Sequence, residues 1–260
     1  MYQEERLIGI LQFLKENRRI SIDQMCEMFD ISRDTARRDL VKLEERKAIV
    51  RTRGGAILPR AHTTIQNYSH RLKTVSFEKQ QIGSKAASFI RPGEKIILDT
   101  STTVQACANQ IRPMDITVIT NSIHQAEILS NVESVSIQLL GGFLQKEHQF
   151  LYGASVIERL KSYHVDQAFI GVVGISASGL SIAHEEDGMV KRNMIKQAEQ
   201  VVVLADHTKF GVTEFFTFAE LEDVDVIITD QLPDEEFQQK LQDHHVDLIV
   251  TEEEGSDLWT

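Results

Sequence analysis

Basic and hydroxyl side chains cluster within two turns of one predicted helix: Ser32, Arg33, Thr35, Arg37 and Arg38. Ser32 is a residue type that caps helix N-termini, while Ala36, Leu40 and Leu43 recur at the spacing of a buried helical face. The opposite face therefore presents the arginines. Recognition helices enter the DNA major groove by their N-terminal residues, where arginine can pair bidentately with guanine. A solvent-exposed basic face on a small helical domain is the alternative.

A predicted hairpin follows this helix, and Arg51 and Arg53 precede its Gly54-Gly55 turn. Such arginines can reach flanking phosphates or a minor groove. Two earlier helices are indicated by apolar residues at helical spacing: Leu7, Ile10, Leu11 and Leu14 in the first, and Met25, Cys26 and Phe29 in the second. Three helices and a basic hairpin outline a winged helix-turn-helix domain over residues 1–58, and the polar stretch 59–75 is predicted to be a linker.

A second group of polar residues follows an apolar run and opens another predicted helix: Asp99, Thr100, Ser101, Thr102 and Thr103. Hydroxyls and unpaired backbone N–H groups at a helix N-terminus bind anions such as phosphate. An ordinary Ser/Thr helix cap explains the same residues without a ligand. Further candidates follow other predicted strands: Asn121, Ser122, Gly141, Gly142, Asp206 and Lys209. Lys209 supplies a cation suited to a phosphate, although an exposed lysine without a role is the alternative.

These candidates sit at the ends of apolar runs that alternate with helical patterns. The predicted strands are 95–99, 116–120, 136–140, 167–175, 201–205, 224–229 and 246–250, and the predicted helices are 103–111, 122–130, 188–199 and 233–243. Nearly continuous apolar strands separated by helices favour an α/β domain with a mostly parallel sheet, here over residues 76–260. Ligands of such sheets bind beyond the carboxyl ends of the strands.

The distribution of charge is uneven along the 260 residues. The formal net charge is −11, yet the first sixty residues carry 13 Lys and Arg against 10 Asp and Glu. A basic segment on an acidic chain suits a protein that contacts phosphates with one end. The sequence shows neither a signal peptide nor an apolar run of about 20 residues, the length that spans a bilayer. We therefore expect a cytoplasmic protein without membrane contacts.

Metal sites and common catalytic motifs are not indicated. His184 lacks a second histidine at i+4, and the side chains of His244 and His245 diverge on a helix. Cys26 and Cys107 stand alone, as expected of small buried residues in a reducing compartment. The sequence contains no GxSxG, Walker or GxGxxG motif. We predict no cofactor, no metal and no catalytic residue.

The N-terminal pattern resembles the DeoR family of bacterial sugar-metabolism regulators. Arg6, Ile10 and Leu14 fit the first part of the family signature, and the run Ser32 to Leu40 fits the second. The segment Arg51 to Ala56 looks like the family's wing. Many fixed positions at fixed spacing make this resemblance more specific than a single short motif.

The second half of the chain resembles the DeoR-type sensor domain. This resemblance implies the fold of ribose-5-phosphate isomerase and glucosamine-6-phosphate deaminase. The matching segments are 166–175, Glu186 in the following loop, and Lys191, Arg192 and Met194 in the next helix. The resemblance implies a phosphorylated sugar as effector and adds Glu186 to the candidate effector residues. Ser101 stands where the family loop usually has glycine, and a side chain there narrows the approach to the backbone amides.

Together these patterns predict a sequence-specific transcription regulator. We expect a repressor of a carbohydrate-utilisation operon, with double-stranded operator DNA and a phosphorylated sugar as partners. A homodimer or homotetramer is expected, because dimers recognise paired half-sites. A sugar-phosphate isomerase or deaminase with an appended DNA-binding module is the alternative, since Asp99, Glu186, Asp206 and Lys209 are acid–base residue types. A complete winged helix gives such an enzyme no advantage. A C-terminal domain that serves assembly alone is a third possibility, against which the anion-binding loops argue.

Overall fold

The computed structural model describes residues 3–17, 19–46, 48–57 and 76–251. Contacts between Cα atoms divide the chain into two compact units, Met1–Thr64 and Ile65–Thr260. The boundary between the units and the linker predicted over 59–75 both lie outside the described residues. The domain limits at 58 and 76 therefore stay predictions.

The first unit combines helices with a small antiparallel sheet. Its elements are α1 (Gln3–Asn17), β1 (Arg19–Ser21), α2 (Ile22–Phe29), α3 (Arg33–Glu45), β2 (Val50–Thr52) and β3 (Gly55–Ile57). The strand order is β1-β3-β2, with Ala56 of β3 between Ile20 and Arg51. The structure thus has the three predicted helices and the wing hairpin. Strand β1 was not predicted, because three residues are too few to show a periodic pattern.

Local sequence explains where the helices of this unit begin and end. The Ser21 hydroxyl accepts a hydrogen bond from the Gln24 N–H, and the Gln24 side chain accepts one from the Ser21 N–H, which is a capping box for α2. Helix α2 ends at Asp30, whose φ of 49° is left-handed. Ser32 caps α3 as predicted, since its Oγ accepts from the Thr35 N–H at 3.2 Å. The apolar faces of the helices meet in one core.

The second unit is an α/β domain. Its helices are α4 (Phe77–Ala87), α5 (Thr102–Ala108), α6 (Ile123–Leu129), α7 (Ala154–Leu160), α8 (Glu185–Ile195) and α9 (Glu235–Asp243). Its strands are β4 (Lys95–Leu98), β5 (Ile116–Thr120), β6 (Val135–Leu139), β7 (Phe143–Gln145), β8 (Phe150–Tyr152), β9 (Val165–Gly171), β10 (Gly174–Ser176), β11 (Gly179–Ile182), β12 (Ala198–Leu204), β13 (Phe216–Ala219), β14 (Val226–Thr229) and β15 (Asp247–Val250).

Seven of these strands form one parallel sheet in the order β15-β14-β12-β9-β4-β5-β6. Successive side chains of each strand point to opposite faces, so the sheet has two apolar cores. Helices α4, α5 and α6 cover one face, and α7, α8 and α9 cover the other. The predicted parallel α/β sheet is confirmed. The order of the strands reverses between β4 and β9, and doubly wound sheets bind ligands at such a point.

Some predicted limits in this unit are wrong. The predicted strand 167–175 is two strands, because the chain leaves the parallel sheet after Gly171 and continues as β10 in a separate antiparallel sheet, β10-β11-β13. Gly174 permits this change, since a Cβ there would lie 2.4 Å from the carbonyl oxygen of Val212. The predicted helix 188–199 starts three residues earlier and ends at Ile195, and Ala198 already belongs to β12. The hairpin β7-β8 and helices α4 and α7 were not predicted.

Within the part of the chain that the structure describes, no helix is both long and apolar enough to cross a membrane.

Candidate DNA-binding and effector sites

Helix α3 holds its arginines on an exposed face. Arg33, Arg37 and Arg38 are all exposed, whereas Ala36 and Leu40 of the same helix are buried, as the spacing predicted. Arg33 lies 2.5 Å from an Asp23 carboxylate oxygen and Arg37 lies 3.5 Å from one of Asp34, and both pairs are mostly exposed to solvent. Water weakens such pairs, so the guanidinium groups can exchange their partners for phosphates or base edges.

The other side of α3 is fixed by a buried ion pair. The Arg6 Nε atom of α1 lies 2.8 Å from Asp39 Oδ2, and Gln3 also donates a hydrogen bond to this carboxylate at 2.7 Å. The hydrogen bond to Asp39 raises the pKa of Arg6, so the guanidinium group stays charged. Arg6 and Asp39 both belong to the N-terminal signature noted in the sequence. Their role in the structure is to attach α1 to the helix that presents the arginines.

The wing carries the two remaining basic candidates. Arg51 lies on β2 and forms a 3.3 Å ion pair with Glu44 of α3, and Arg53 lies in the exposed turn before β3. A Cβ at Gly55 would lie 2.0 Å from the Ile20 carbonyl oxygen, so the wing packs directly on β1. The wing and α3 thereby present Arg51, Arg53 and the α3 arginines from one compact unit.

In the second unit, a buried ion pair joins the two central strands where their order reverses. Asp99 follows β4, and its carboxylate accepts hydrogen bonds from the N–H groups of Gly171, at the end of β9, and Ser101, each at 2.7 Å. The ammonium of Lys191, from α8, pairs with the same carboxylate and donates to the Gly171 carbonyl oxygen at 3.1 Å. Both charged side chains are buried. This network fixes the loop between β4 and α5.

Ser101 fills the space that a glycine would leave open in this loop. Its Oγ caps α5 by accepting from the Val104 N–H at 3.1 Å. A Cβ built on Gly171 would lie 2.0 Å from that oxygen, so the loops after β4 and β9 touch here. The Ser101 side chain thereby occupies the Val104 N–H, one of the amides at the start of α5.

A small pocket lies beside this loop. Its lining residues are Thr100, Ser101, His148, Phe150, Gly171, Val172, Val173, Ile182, His184, Asp187 and Lys191. The cavity volume is about 30 Å³, enough for a water molecule but not for a sugar. The imidazole rings of His148 and His184 lie 4.8 Å apart, and His148 is buried. The pocket thus combines apolar and hydrogen-bonding surface.

Four predicted effector residues hold the hairpin β7-β8 or flank it, and do not line this pocket. Asn121 donates from Nδ2 to the Leu151 carbonyl oxygen at 3.0 Å, and the backbone carbonyl oxygen of Asn121 accepts from the Leu151 N–H at 2.8 Å. Ser122 forms an isolated bridge to Phe150. Gly141 and Gly142 are exposed, and Gly142 has a φ of 146° just before the hairpin. Asn121 and Ser122 thereby position the hairpin that carries His148 and Phe150.

Two lysines gather around Asp206 at another part of the same strand edge. Lys209 lies 3.6 Å from an Asp206 carboxylate oxygen, and Lys79 of α4 donates to the Thr102 hydroxyl at 3.3 Å. Burial acts to raise the pKa of Asp206, but Lys209, a hydrogen bond from Thr208 and the charge of Lys79 outweigh it and hold the pKa below its ordinary value. Both ammonium groups therefore lie close enough to Asp206 to favour its charged form.

The predicted effector residues therefore fall into distinct places. Thr100 and Ser101 line the pocket, Asp99 lies beneath it, and Thr102 lies beside the lysines. Thr103 is buried in the first turn of α5, and Glu186 is exposed in the first turn of α8. The segment 100–103, which ends in the first turn of α5, consequently runs from the pocket to Lys79.

Sequence reasoning missed four of the pocket's polar side chains, those of His148, His184, Asp187 and Lys191, as well as Lys79. Lys191 was noted only as part of a resemblance, and a lysine within a helix ordinarily indicates an exposed surface. The histidines were weighed only as metal ligands, and no group of three or more metal-ligating side chains occurs among the described residues. The one available signal was position: His184 directly precedes α8, and His148 follows β7 by three residues.

Comparison with protein-family models gives two matches. The DeoR-like helix-turn-helix domain matches residues 6–62, and the DeoR C terminal sensor domain matches residues 75–231. The two matches cover most of the chain and separate at the same region as the two structural units.

Curated relatives match the chain along almost its whole length. The HTH-type transcriptional repressor GlcR of Bacillus subtilis (strain 168) is 62% identical over 99% of this chain and 100% of the relative. The glycerol-3-phosphate regulon repressor of Escherichia coli (strain K12) is 30% identical over 95% of this chain and 99% of its own length. Among solved structures, ribose 5-phosphate isomerase A of Methanocaldococcus jannaschii matches with a TM-score of 0.37 and 16% identity over 51% of this chain and 53% of that one. A likeness at this level supports no conclusion about function.

Proposed function

This chain belongs to the DeoR family of transcription regulators, and we propose that it represses a carbohydrate-utilisation operon under the control of a phosphorylated sugar. In this proposal the first unit binds operator DNA and the second binds the sugar phosphate. The names of two relatives, a transcriptional repressor and a glycerol-3-phosphate regulon repressor, support repression and a phosphorylated effector.

The DNA-binding surface would consist of α3 and the wing. Arg37 and Arg38 would contact base edges, and Ser32, Arg33 and Thr35 would contact bases or phosphates near the helix N-terminus. Arg51 and Arg53 of the wing would contact flanking phosphates. The supporting observation is the division of α3 into a buried apolar face and an exposed basic face.

The observation that carries the effector proposal is the loop 100–103 at the reversal of strand order. Thr102 accepts a hydrogen bond from Lys79, which acts together with Lys209 on Asp206, and Thr100 and Ser101 line the pocket. We assign the phosphate of the effector to the lysines and the Thr102 hydroxyl, because ammonium groups and hydroxyls bind phosphate oxygens. The sugar would extend into the pocket.

We propose that effector binding is coupled to a change of conformation in this unit. The enclosed space of about 30 Å³ would enlarge when a sugar enters it. A ligand that prefers one of two conformations shifts the population toward it, which is how an effector can alter DNA affinity. Glu186 and the glycines at 141 and 142 would then belong to the surroundings that rearrange.

Thermal unfolding of the full chain against a panel of sugar phosphates tests the effector proposal. We expect one of them to raise the Tm, since a ligand at 100 times its Kd stabilises the native state by about 2.7 kcal/mol. A shortened chain that begins at residue 74 keeps all seven parallel strands and should bind the same compound. NMR of the bound sugar should show it intact. A panel without effect, or turnover near ~1–10³ per second, would contradict the proposal.

A further inference from the structure

Two histidine side chains line the pocket, away from the lysines to which we assign the phosphate. His148 comes from the turn of the β7-β8 hairpin and is 5% exposed, and His184 immediately precedes α8. Their ring centroids are 4.8 Å apart at an angle of 51°. Phe150, on the same hairpin, lines the pocket beside them. Two elements from different parts of the chain thus bring two histidines to one small cavity.

We propose that His148 and His184 determine which sugar phosphate is accepted, by hydrogen bonds to the hydroxyl groups of the sugar. The proposal rests on the proposed function and specifies the end of the site that recognises the sugar. A neutral imidazole has one donor nitrogen and one acceptor nitrogen, and a hydroxyl group can also both donate and accept a hydrogen bond, so the two groups can pair. Phe150 and Ile182 supply apolar surface for the C–H groups of the same sugar.

The charges of the two ends support this division of roles. Lys191, the lysine that lines the pocket, is already paired with Asp99, and Asp187 adds another carboxylate to the lining. A dianionic phosphate would therefore gain little in the pocket. Lys79 and Lys209 both lie near the buried carboxylate of Asp206, beyond the Thr102 end of the same segment. The electrostatics thus favour the phosphate at the lysines and an uncharged, hydroxyl-rich group at the histidines.

Selectivity follows from the cost of leaving buried polar groups unpaired. A site that hydrogen-bonds a hydroxyl rejects the analogue that lacks it, because the partner in the protein then stays buried without a bond. The histidines consequently discriminate between a sugar phosphate and its deoxy analogue. Phenylalanine in place of either histidine keeps an aromatic ring of similar size and removes both nitrogens, so the discrimination should disappear with it.

The experiment measures binding of three kinds of probe to the full chain by calorimetry. A panel that includes glucose 6-phosphate, galactose 6-phosphate and ribose 5-phosphate first identifies the sugar phosphate that binds most tightly. The three probes are that compound, its deoxy analogues and inorganic phosphate. The variants are His148→Phe, His184→Phe and the conservative His148→Gln. His164→Phe is the matched control, because His164 is exposed just before β9, at the opposite end of that strand from Gly171.

The native chain should bind the full sugar phosphate about tenfold more tightly than at least one deoxy analogue. For the deoxy analogue that lacks the hydroxyl bound by one histidine, this ratio should fall to near one in the Phe variant of that histidine, while the Kd of inorganic phosphate changes less than twofold. His148→Gln should retain part of the ratio, and His164→Phe all of it. Circular dichroism verifies folding, and if His148→Phe does not fold, His184→Phe and His148→Gln decide.

Three results would overturn the inference. An unchanged ratio in the folded variants would show that the histidines do not contact the hydroxyls. An equal loss of inorganic phosphate binding would place the phosphate at the histidines. Failure of every sugar phosphate to bind the native chain would contradict the proposed function itself, and the inference with it.

Discussion

Arg6 and Asp39 form an ion pair within the core of the first unit, with 2.8 Å between Nε and Oδ2 and 10% and 0% of the two side chains exposed. The pair links α1 to α3 from the side opposite the exposed arginines. An exposed pair in the same unit, Arg33 with Asp23, is closer at 2.5 Å but about two-thirds exposed. Comparing the two pairs therefore separates the effect of burial on stability from the effect of the distance between the charged atoms.

Replacing Asp39 by Asn should destabilise the first unit strongly. Breaking a buried pair leaves an uncompensated buried charge, at a cost of about 3–5 kcal/mol, whereas an exposed pair contributes about 1 kcal/mol or less. Hydrogen exchange of the α1 and α3 amides measures the loss, with Asp23→Asn as the matched control. Equal losses in both variants would show that burial of the Arg6–Asp39 pair has no energetic consequence.

The exposed arginines of α3 should be needed for DNA binding but not for folding. Arg37→Ala and Arg38→Ala should each weaken binding to a mapped operator by about 1–3 kcal/mol per lost base contact. A lost phosphate contact should also reduce the salt dependence of binding. Fluorescence anisotropy measures the affinity, and Arg112→Ala, an equal change of charge in the second unit, is the control. Native affinity in both α3 variants would mean that α3 does not contact the operator.

Lys209→Ala and Lys79→Ala should weaken binding of the sugar phosphate. Charged hydrogen bonds contribute about 1.5–3 kcal/mol each, so the Kd should rise by about tenfold or more. Lys95→Ala removes the same charge at the amino end of β4, remote from the loop that follows this strand, and should leave the Kd unchanged. Titration calorimetry compares the three variants, and a Kd that stays constant in Lys209→Ala excludes Lys209 from the site.

The Lys209→Ala substitution should also change the pKa of Asp206. Lys209 and Thr208 hold the pKa of this carboxylate below its ordinary value despite burial. Its contribution to stability is therefore present above about pH 3.9, the value for an unfolded aspartate, and is lost as the pH falls through the lower folded pKa. Lys209→Ala should raise that pKa, as measured by NMR of the carboxyl carbon. A midpoint that does not move would show that Lys209 has no effect on Asp206.

The sequence was informative wherever a pattern repeats over many residues. All seven strands of the parallel sheet overlap predicted apolar runs, because strands buried on both faces, such as β14, are apolar along their length. The buried face of α3 and its Ser32 cap were likewise predicted from spacing and residue type. The hairpin β7-β8 was missed, since its strands have three residues each and two of these side chains, Phe143 and Leu144, are exposed.

The composition of the site depended on contacts that sequence spacing does not encode. Asp99 and Lys191 are 92 residues apart and meet only because β4 lies beside β9 in the sheet. His148 reaches the pocket through a hairpin held by Asn121, which itself was predicted to touch the effector. The positions of residues after predicted strands indicated which edge of the sheet carries the site. The residues that line the pocket could not be predicted in this way, because the crossovers between strands bring them together.

Operator affinity measured with and without the sugar phosphate tests the central claim most directly. Fluorescence anisotropy of the full chain with labelled operator gives both values, at one salt concentration because DNA affinity depends on salt. We expect a saturating sugar phosphate to change the operator Kd by about 5–150-fold, the usual range of allosteric coupling. The Lys209→Ala variant should need a higher concentration of the sugar phosphate for the same change. A sugar phosphate that binds the second unit tightly and leaves the operator Kd unchanged would contradict the account.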